Sequence, residues 1–230
     1  VVLDMLATDS EEVLRLSSQG IAVASFEDLG SGAEFTDLTI NELYDQAVRS
    51  GENYRWGHKY FFVREEFNSA TPRAFSLEIQ AVLLAFGGTD QHDLSRRIFE
   101  TISEVCFSQH IHIHIVTGPG YKHRSGLAKV ANVSGVTLTH ATGVISGIME
   151  QCDLAITSNG RTVYELAHMN IPTIVVDQHE RENTHHFARE ENGFLPCGVY
   201  EKGKTESVVL QNLSNLLSDS SRRRSLYLKT

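Results

Sequence analysis

Short apolar runs that end in small polar residues, each followed by helical spacing, recur along this chain. That rhythm most constrains its fold. The run 79–86 is apolar apart from Gln80 and passes into Gly87-Gly88-Thr89-Asp90. A strand apolar on both faces must be covered on both, which is the position of a central parallel strand. Leu94, Ile98, Ile102 and Val105 then recur at helical spacing, and 111–117 reads as the next strand. The alternation continues with a helix at 125–130, a strand at 136–138, a helix at 144–151 and a strand at 153–157. A helix at 162–169, a strand at 172–176 and helices at 183–191 and 207–217 complete it. Such alternation predicts a parallel α/β sheet.

The first part keeps the rhythm with shorter elements. Strands are expected at 1–6, 21–26, 38–40 and 60–63, a helix at 11–19 closed by Gly20, and an irregular stretch at 44–59. Because the first residues already read as a buried strand, further sequence is expected upstream. A length of 230 residues suits one large α/β domain or two small ones. Here two are expected, covering 1–70 and 79–218, with a linker at 71–78 and a tail or helix at 219–230.

Composition removes several function classes. A net charge of -9 argues against a nucleic-acid partner, which demands a basic stripe. The one dense basic cluster, Arg222-Arg223-Arg224, reads as a solvated helix end. Cys106, Cys152 and Cys197 form no CxxC pair, which disfavours a disulfide framework or a zinc ribbon and fits a reducing, cytoplasmic setting. No apolar stretch approaches the roughly 18 residues that span a bilayer.

Candidate chemistry gathers at the ends of the later strands. Gly87 and Gly88 let a backbone approach a ligand closely, and a plain strand–helix turn explains them as well. GxGxxG and GxxxxGK[ST] are both absent, which disfavours a dinucleotide fold motif and a P-loop. The stretch SNGRTVYE, 158–165, is more pointed. Its small residues sit at the mouth of a helix, where N–H groups can receive a diphosphate. Glu165 follows three residues after Thr162, near one turn on, where a carboxylate can bind a ribose diol. On spacing alone, a Thr162…Glu165 capping box is the simpler reading. The stretch DQHERENTHHF, 177–187, brings Gln178, His179, Glu180, Arg181, Glu182 and Asn183 to the same sheet edge. It lacks the second histidine of HExxH, because Asn183 stands there. HIHIHI, 110–115, places three histidines on one strand face; a half-exposed sheet face explains them better than a metal site. Neither a metal nor a cofactor is expected.

Gly160, Thr162, Glu165, Pro172, Gln178 and Asn183 together resemble the nucleotide-binding half of GT-B glycosyltransferases, such as the peptidoglycan-type N-acetylglucosaminyltransferases. A wider resemblance rests on YFFVREEF, LLAFGGTDQHDLS and DLAITSNGRTVYELAHMNIPTIVVDQ. These are similar to the UDP-2,4-diacetamido-2,4,6-trideoxy-β-L-altropyranose hydrolases of pseudaminic acid biosynthesis and to spore-coat polysaccharide proteins. The resemblance implies a GT-B-like α/β fold: two Rossmann-like domains with parallel sheets facing a cleft, the first partial at its N-terminus and the second holding a UDP-sugar. It implies a metal-independent, inverting attack of water that releases UDP. Carried onto this chain, Gly87, Gly88 and Thr89 lie near the phosphates or sugar. The segment 138–142, with Leu138, Thr139 and His140, lies beside uracil, and Ser158, Asn159, Gly160, Arg161 and Thr162 lie along the diphosphate. Glu165 holds the ribose, and Gln178, Glu180 and Asn183 face the sugar. The family's G-x-G-H base loop is absent here, so no catalytic base is assigned. Three readings follow: a UDP-sugar hydrolase, a GT-B glycosyltransferase using a UDP-N-acetylhexosamine, or a silent nucleotide-sugar-binding module of a larger enzyme such as a cytidylyltransferase fusion. The expected partner is a UDP-sugar, without nucleic acid or a membrane span, and with room for a fused upstream domain or a homo-oligomer.

Overall fold

The computed structural model describes residues 1–230, which divide into two compact units. The first comprises Val1–Phe62 with Thr184–Phe187, and the second Val63–Asn183 with Ala188–Thr230. No helix is long and apolar enough to cross a membrane.

The first unit holds β1 (Val2–Asp4), α1 (Ser10–Ser17), β2 (Ala24–Phe26), β3 (Leu38–Asn41) and β4 (Tyr54–Trp56). Its four strands are parallel, in sequence order. Val13 buries the inner face of α1, and the Asp9 carboxylate caps the helix through the Glu11 N–H at 2.8 Å. Asp28, fully buried, accepts from the N–H of Thr8 at 2.9 Å, the Thr8 hydroxyl at 2.5 Å and the Gly30 N–H at 2.8 Å. It thereby ties the loop after β1 to the loop after β2.

This unit corrects one expectation. The last strand is Tyr54–Trp56, inside the stretch expected to be irregular, while 60–63 forms no strand. Tyr54 is buried and stacks on Trp56 with ring centroids 5.6 Å apart, so the pairing with β3 gains apolar burial there. Gly57, at φ 92, then turns the chain out of the extended direction. Phe62, beyond it, stays 55% exposed.

The second unit holds β5 (Ala81–Ala85), α2 (Leu94–Ser108), β6 (His112–Thr117), α3 (Arg124–Leu127), β7 (Val136–His140) and α4 (Ser146–Met149). It continues with β8 (Leu154–Ser158), α5 (Thr162–His168), β9 (Thr173–Asp177), β10 (Phe194–Val199), α6 (Lys204–Ser218) and α7 (Ser220–Tyr227). All six strands are parallel, in the order β10-β9-β8-β5-β6-β7. The two sheets are the parallel α/β architecture expected from the rhythm.

Val82, Leu84 and Phe86 enter a core with Leu94, Ile98 and Ile102 of α2 and Val209 and Leu213 of α6. Ile113 and Ile115 are buried in the same core, and His112 and His114 lie on the other face of β6, rings 4.6 Å apart. His110 precedes the strand at φ 59 and does not share that face as expected.

Two further expectations are corrected. The segment 183–191 forms only short 3-10 turns at Glu182–Thr184 and Glu190–Asn192. Thr184–Phe187 group with the first unit, where the His185 ring lies 5.1 Å from Tyr44, so the backbone does not continue a helix. A strand, β10, follows where none was expected; Pro196 and Gly198 hid it, and its place at the sheet edge tolerates them.

Arg223 on α7 is 2% exposed. Its guanidinium donates to the carbonyls of Leu216 and Leu77 and lies 5.7 Å from the Phe75 ring centroid. It therefore fastens the C-terminal helices to the segment entering β5, and the expected solvated cluster holds for its neighbours Arg222 and Arg224 alone. Arg223→Met, which keeps the apolar bulk and removes the donors, is expected to lower unfolding free energy by about 2–4 kcal/mol in urea titration, while Arg222→Met changes it by under ~0.5 kcal/mol.

Candidate functional site

The strand order reverses between β5 and β8, which pair in register from Val82↔Leu154 to Ala85↔Thr157. Right-handed crossovers send the chain from β5 through α2 toward β6, and from β8 through α5 toward β9, on opposite sides of the sheet. The carboxyl ends of β5 and β8 are therefore left side by side with diverging exits. Such a crevice is where open α/β sheets bind ligands. The Thr157 hydroxyl donates to the Ala85 carbonyl at 2.6 Å and closes the floor.

Close backbone approach builds the walls. A Cβ on Gly118 would stand 2.4 Å from the Gly88 Cα, so only glycine fits there. The Gly120 N–H donates to the Gly88 carbonyl at 2.9 Å, fixing the loop after β6 against the loop after β5. The Tyr121 hydroxyl donates to Asp93 Oδ1 at 2.5 Å, and Arg96 Nε donates to Asp93 Oδ2 at 2.6 Å. Asp90 caps α2 through the N–H groups of Leu94 at 2.7 Å and Ser95 at 2.8 Å. Burial holds the Asp90 carboxyl above its ordinary value against these donors.

Two cavities open above this floor. One, of about 290 Å³, is lined by Arg64, Thr117, Thr142, Ile145 and Glu165. The other, of about 340 Å³, is lined by Thr89, Ser158, Gly160, Gln178, His179 and Glu182. Gly87, Gly88, Arg161 and Thr162 line both.

Glu165 does not form the capping box that spacing favours. Arg161 is the N-cap of α5, without a side-chain cap, and Thr162 is the first helical residue. The Glu165 carboxylate instead accepts from Arg64 Nε at 2.9 Å. Burial raises its pKa, and the Arg64 hydrogen bond and charge oppose that rise.

The far wall is stitched by amides. Gln178 Nε2 donates to the Phe86 carbonyl at 3.1 Å, and its Oε1 accepts from the Gln91 N–H at 3.1 Å. Glu182 Oε2 accepts from the N–H groups of Gln178 at 2.7 Å and Asn159 at 3.3 Å. His179 Nε2 lies 4.0 Å from Glu182 Oε1. Burial raises the pKa of both Glu182 and Asp177. Thiolate chemistry is remote, because burial pushes Cys106 and Cys152 up to about 12 and Cys197 up to about 11.

Of the residues singled out from sequence, Gly87, Gly88, Thr89, Ser158, Gly160, Arg161, Thr162, Glu165 and Gln178 line these cavities. Asn159 is buried behind them, donating from Nδ2 to the Glu182 carbonyl at 3.0 Å. Of the segment 138–142, Leu138, Thr139 and His140 lie along β7, while Ala141 and Thr142, just beyond its end, line the first cavity with Ile145. Glu180 and Asn183 are exposed and line neither cavity. Sequence reasoning brought His179 and Glu182 to this sheet edge without assigning them a role, and did not single out Arg64, Thr117 or Ile145 as site residues. Arg64 stood within the REEF motif, but its partner lies 101 positions away.

No family model matches the sequence. The spore coat polysaccharide biosynthesis protein SpsG of Bacillus subtilis is 22% identical over 238 aligned positions, covering 99% of this chain and 70% of SpsG. An uncharacterized protein of Methanocaldococcus jannaschii is 26% identical over 166, covering 65% of this chain; the match spans only 34% of that protein's length. Among solved structures, S. aureus MnaA in complex with UDP superposes with a TM-score of 0.62 at 10% identity, covering 99% of this chain and 68% of MnaA. MurG of Acinetobacter baumannii gives 0.60 at 13% identity, covering 97% and 67%. These likenesses establish the fold as GT-B-like, two Rossmann-like α/β domains with parallel sheets.

Two outcomes test this construction. Gly118→Ala is expected to cost about 1–3 kcal/mol of stability in urea titration, because the new Cβ forces the two loops apart. Glu182→Gln tests the buried charge. Folding raises the Glu182 pKa, so the folded chain holds a proton that the unfolded chain has released, and stability falls as pH rises from about 4.5 through the folded value. Thermal melts across that window are expected to show a shallower fall for Glu182→Gln than for the unsubstituted chain.

Proposed function

We propose that this chain is a nucleotide-sugar enzyme that releases UDP from a UDP-linked acetamido sugar, in nonulosonic acid or surface polysaccharide biosynthesis. The observation that carries the reading is Glu165: a buried carboxylate lining a cavity of about 290 Å³, one turn beyond the open loop that ends β8. A carboxylate accepts from two neighbouring hydroxyls at once, which suits the 2′- and 3′-hydroxyls of a ribose. The Gly88 N–H, which no backbone carbonyl takes, stands at the ridge shared by the two cavities, where a diphosphate would join nucleoside to sugar, and the Gly160 N–H, likewise untaken, lies in the wall of the second. Arg161, which lines both cavities, supplies positive charge there in a chain of net charge -9. The likeness to SpsG over 99% of the chain supports a role in polysaccharide biosynthesis.

UDP is already a good leaving group. The chain's main tasks are to hold the diphosphate as charge develops on it and to admit water to the anomeric carbon. In this reading the first cavity takes uridine and the second takes the sugar. Thr89, Ser158 and Gln178 contribute polar groups to the second. The attack is inverting and needs no metal.

A second reading, a GT-B glycosyltransferase using a UDP-N-acetylhexosamine, is supported by the fold shared with MurG. It uses the same donor site and differs in the acceptor. Calorimetric titration is expected to give a Kd for UDP in the micromolar range, about −8 kcal/mol, and no binding of CMP. Glu165→Ala is expected to weaken UDP at least about tenfold while the melting temperature changes little, because the side-chain bond it loses within the fold is to Arg64, which is half-exposed and stays paired with Glu66. UDP release from a UDP-acetamido sugar in water alone supports the hydrolase; release that awaits an added sugar or lipid acceptor supports the transferase. An absence of UDP binding by the folded chain sinks both.

A further inference from the structure

The strongest geometry left unused by this reading surrounds Arg64. Its Nε donates to Glu165 Oε1 at 2.9 Å, and its Nη1 meets Glu66 Oε1 at 2.8 Å. The guanidinium carbon lies 5.7 Å from the Phe67 ring centroid, and Phe67 is 1% exposed. Phe67 is itself held to the end of α5: its carbonyl lies 3.2 Å from His168 Nε2, and the two rings meet edge-on at 6.0 Å. The other Glu66 oxygen accepts from the Ser146 N–H at 2.9 Å, beside Ile145 of the same cavity wall. The segment 64–67 is thus a brace across one cavity. It fixes the carboxylate on one side and the start of α4 on the other.

Resting on the nucleotide-site reading above, we infer that Arg64 is the positioning residue that lets this site distinguish ribose from 2′-deoxyribose, by fixing the Glu165 carboxylate for the diol. A terminal carboxylate torsion is soft and broad, so an unbraced glutamate samples many planes. Two hydroxyls on adjacent ring carbons are accepted together only in a narrow range of them. Arg64 donates to Oε1 through Nε, while its Nη1 pairs with Glu66, so the guanidinium is held between two carboxylates and pins the oxygen it bonds. Lysine offers a point charge without a planar fork.

The same contacts govern protonation. The charged groups facing Glu165 are Arg64 and Glu66 from the brace and Arg161 from the start of α5. Removing Arg64 removes the largest force opposing the burial-driven rise in the Glu165 pKa. The carboxyl then takes up a proton at higher pH and loses an acceptor for the diol.

The test is titration of the full chain, unsubstituted and as Arg64→Gln and Arg64→Lys, with UDP and with 2′-deoxy-UDP, between about pH 5 and pH 8. The unsubstituted chain is expected to prefer UDP about tenfold, the worth of one hydrogen bond to a charged acceptor. Arg64→Gln is expected to bring the ratio to about one, by lowering UDP affinity more than 2′-deoxy-UDP affinity, with Arg64→Lys intermediate. The acid loss of UDP affinity is expected to begin at higher pH in Arg64→Gln. Retention of the full ratio in Arg64→Gln overturns the inference, as does equal weakening of both ligands, which marks a merely structural role. An unsubstituted chain that binds neither ligand overturns the nucleotide reading itself, a distinct result.

Discussion

The reversal of strand order between β5 and β8 is the constraint on which the site depends. Two central strands, apolar on both faces, lie side by side, yet their following segments must leave in opposite directions because crossovers are right-handed. The gap between those exits cannot be filled by the chain's own helices. What fills its margins is backbone: Gly88 against Gly118, Gly120 on Gly88, and the loop that ends β8 opposite Gly87. The openness of the crevice and the smallness of its residues have one cause.

Around that crevice the chain buries carboxylates and surrounds them with donors. Asp90 takes two N–H groups at the start of α2, Glu182 takes two at the ends of β8 and β9, and Glu165 takes a guanidinium. Each is held above its ordinary pKa by burial even so. The three differ in purpose. Asp90 and Glu182 accept from the backbone and act on the frame, joining loops that would otherwise part. Glu165 accepts from a half-exposed side chain at a cavity, so its environment can change when something enters.

Much of this was legible along the chain. The run 79–86 and the isoleucines of HIHIHI announced central strands because burial on a sheet face leaves a local, alternating or continuous pattern. SNGRTVYE announced an open loop and a carboxylate because both lie within one strand–helix junction. The misses were of another kind. Tyr54–Trp56 is three residues long with a charged middle, so its strand character comes from the partner β3 and the Tyr54–Trp56 stack. The segment 183–191 has helical composition, yet Thr184–Phe187 are drawn into the first unit. The capping box failed because Thr162 is already the first helical residue, one position past the N-cap the box demands, which frees Glu165 for Arg64.

By itself, then, the sequence determined the parallel α/β class, the central strands, the loops at their carboxyl ends and the presence of a carboxylate one turn beyond the loop that ends β8. These follow from periodicity and from turn chemistry, both of which act between residues a few positions apart. Only the tertiary structure decided the strand order, the pairing of Arg64 with Glu165, and the meeting of Gly88 with Gly118. It also turned Gln178 into a strut between β5 and β9. Those contacts join positions far apart in the chain. Their partners are selected by which strands lie adjacent, and no local pattern carries that information.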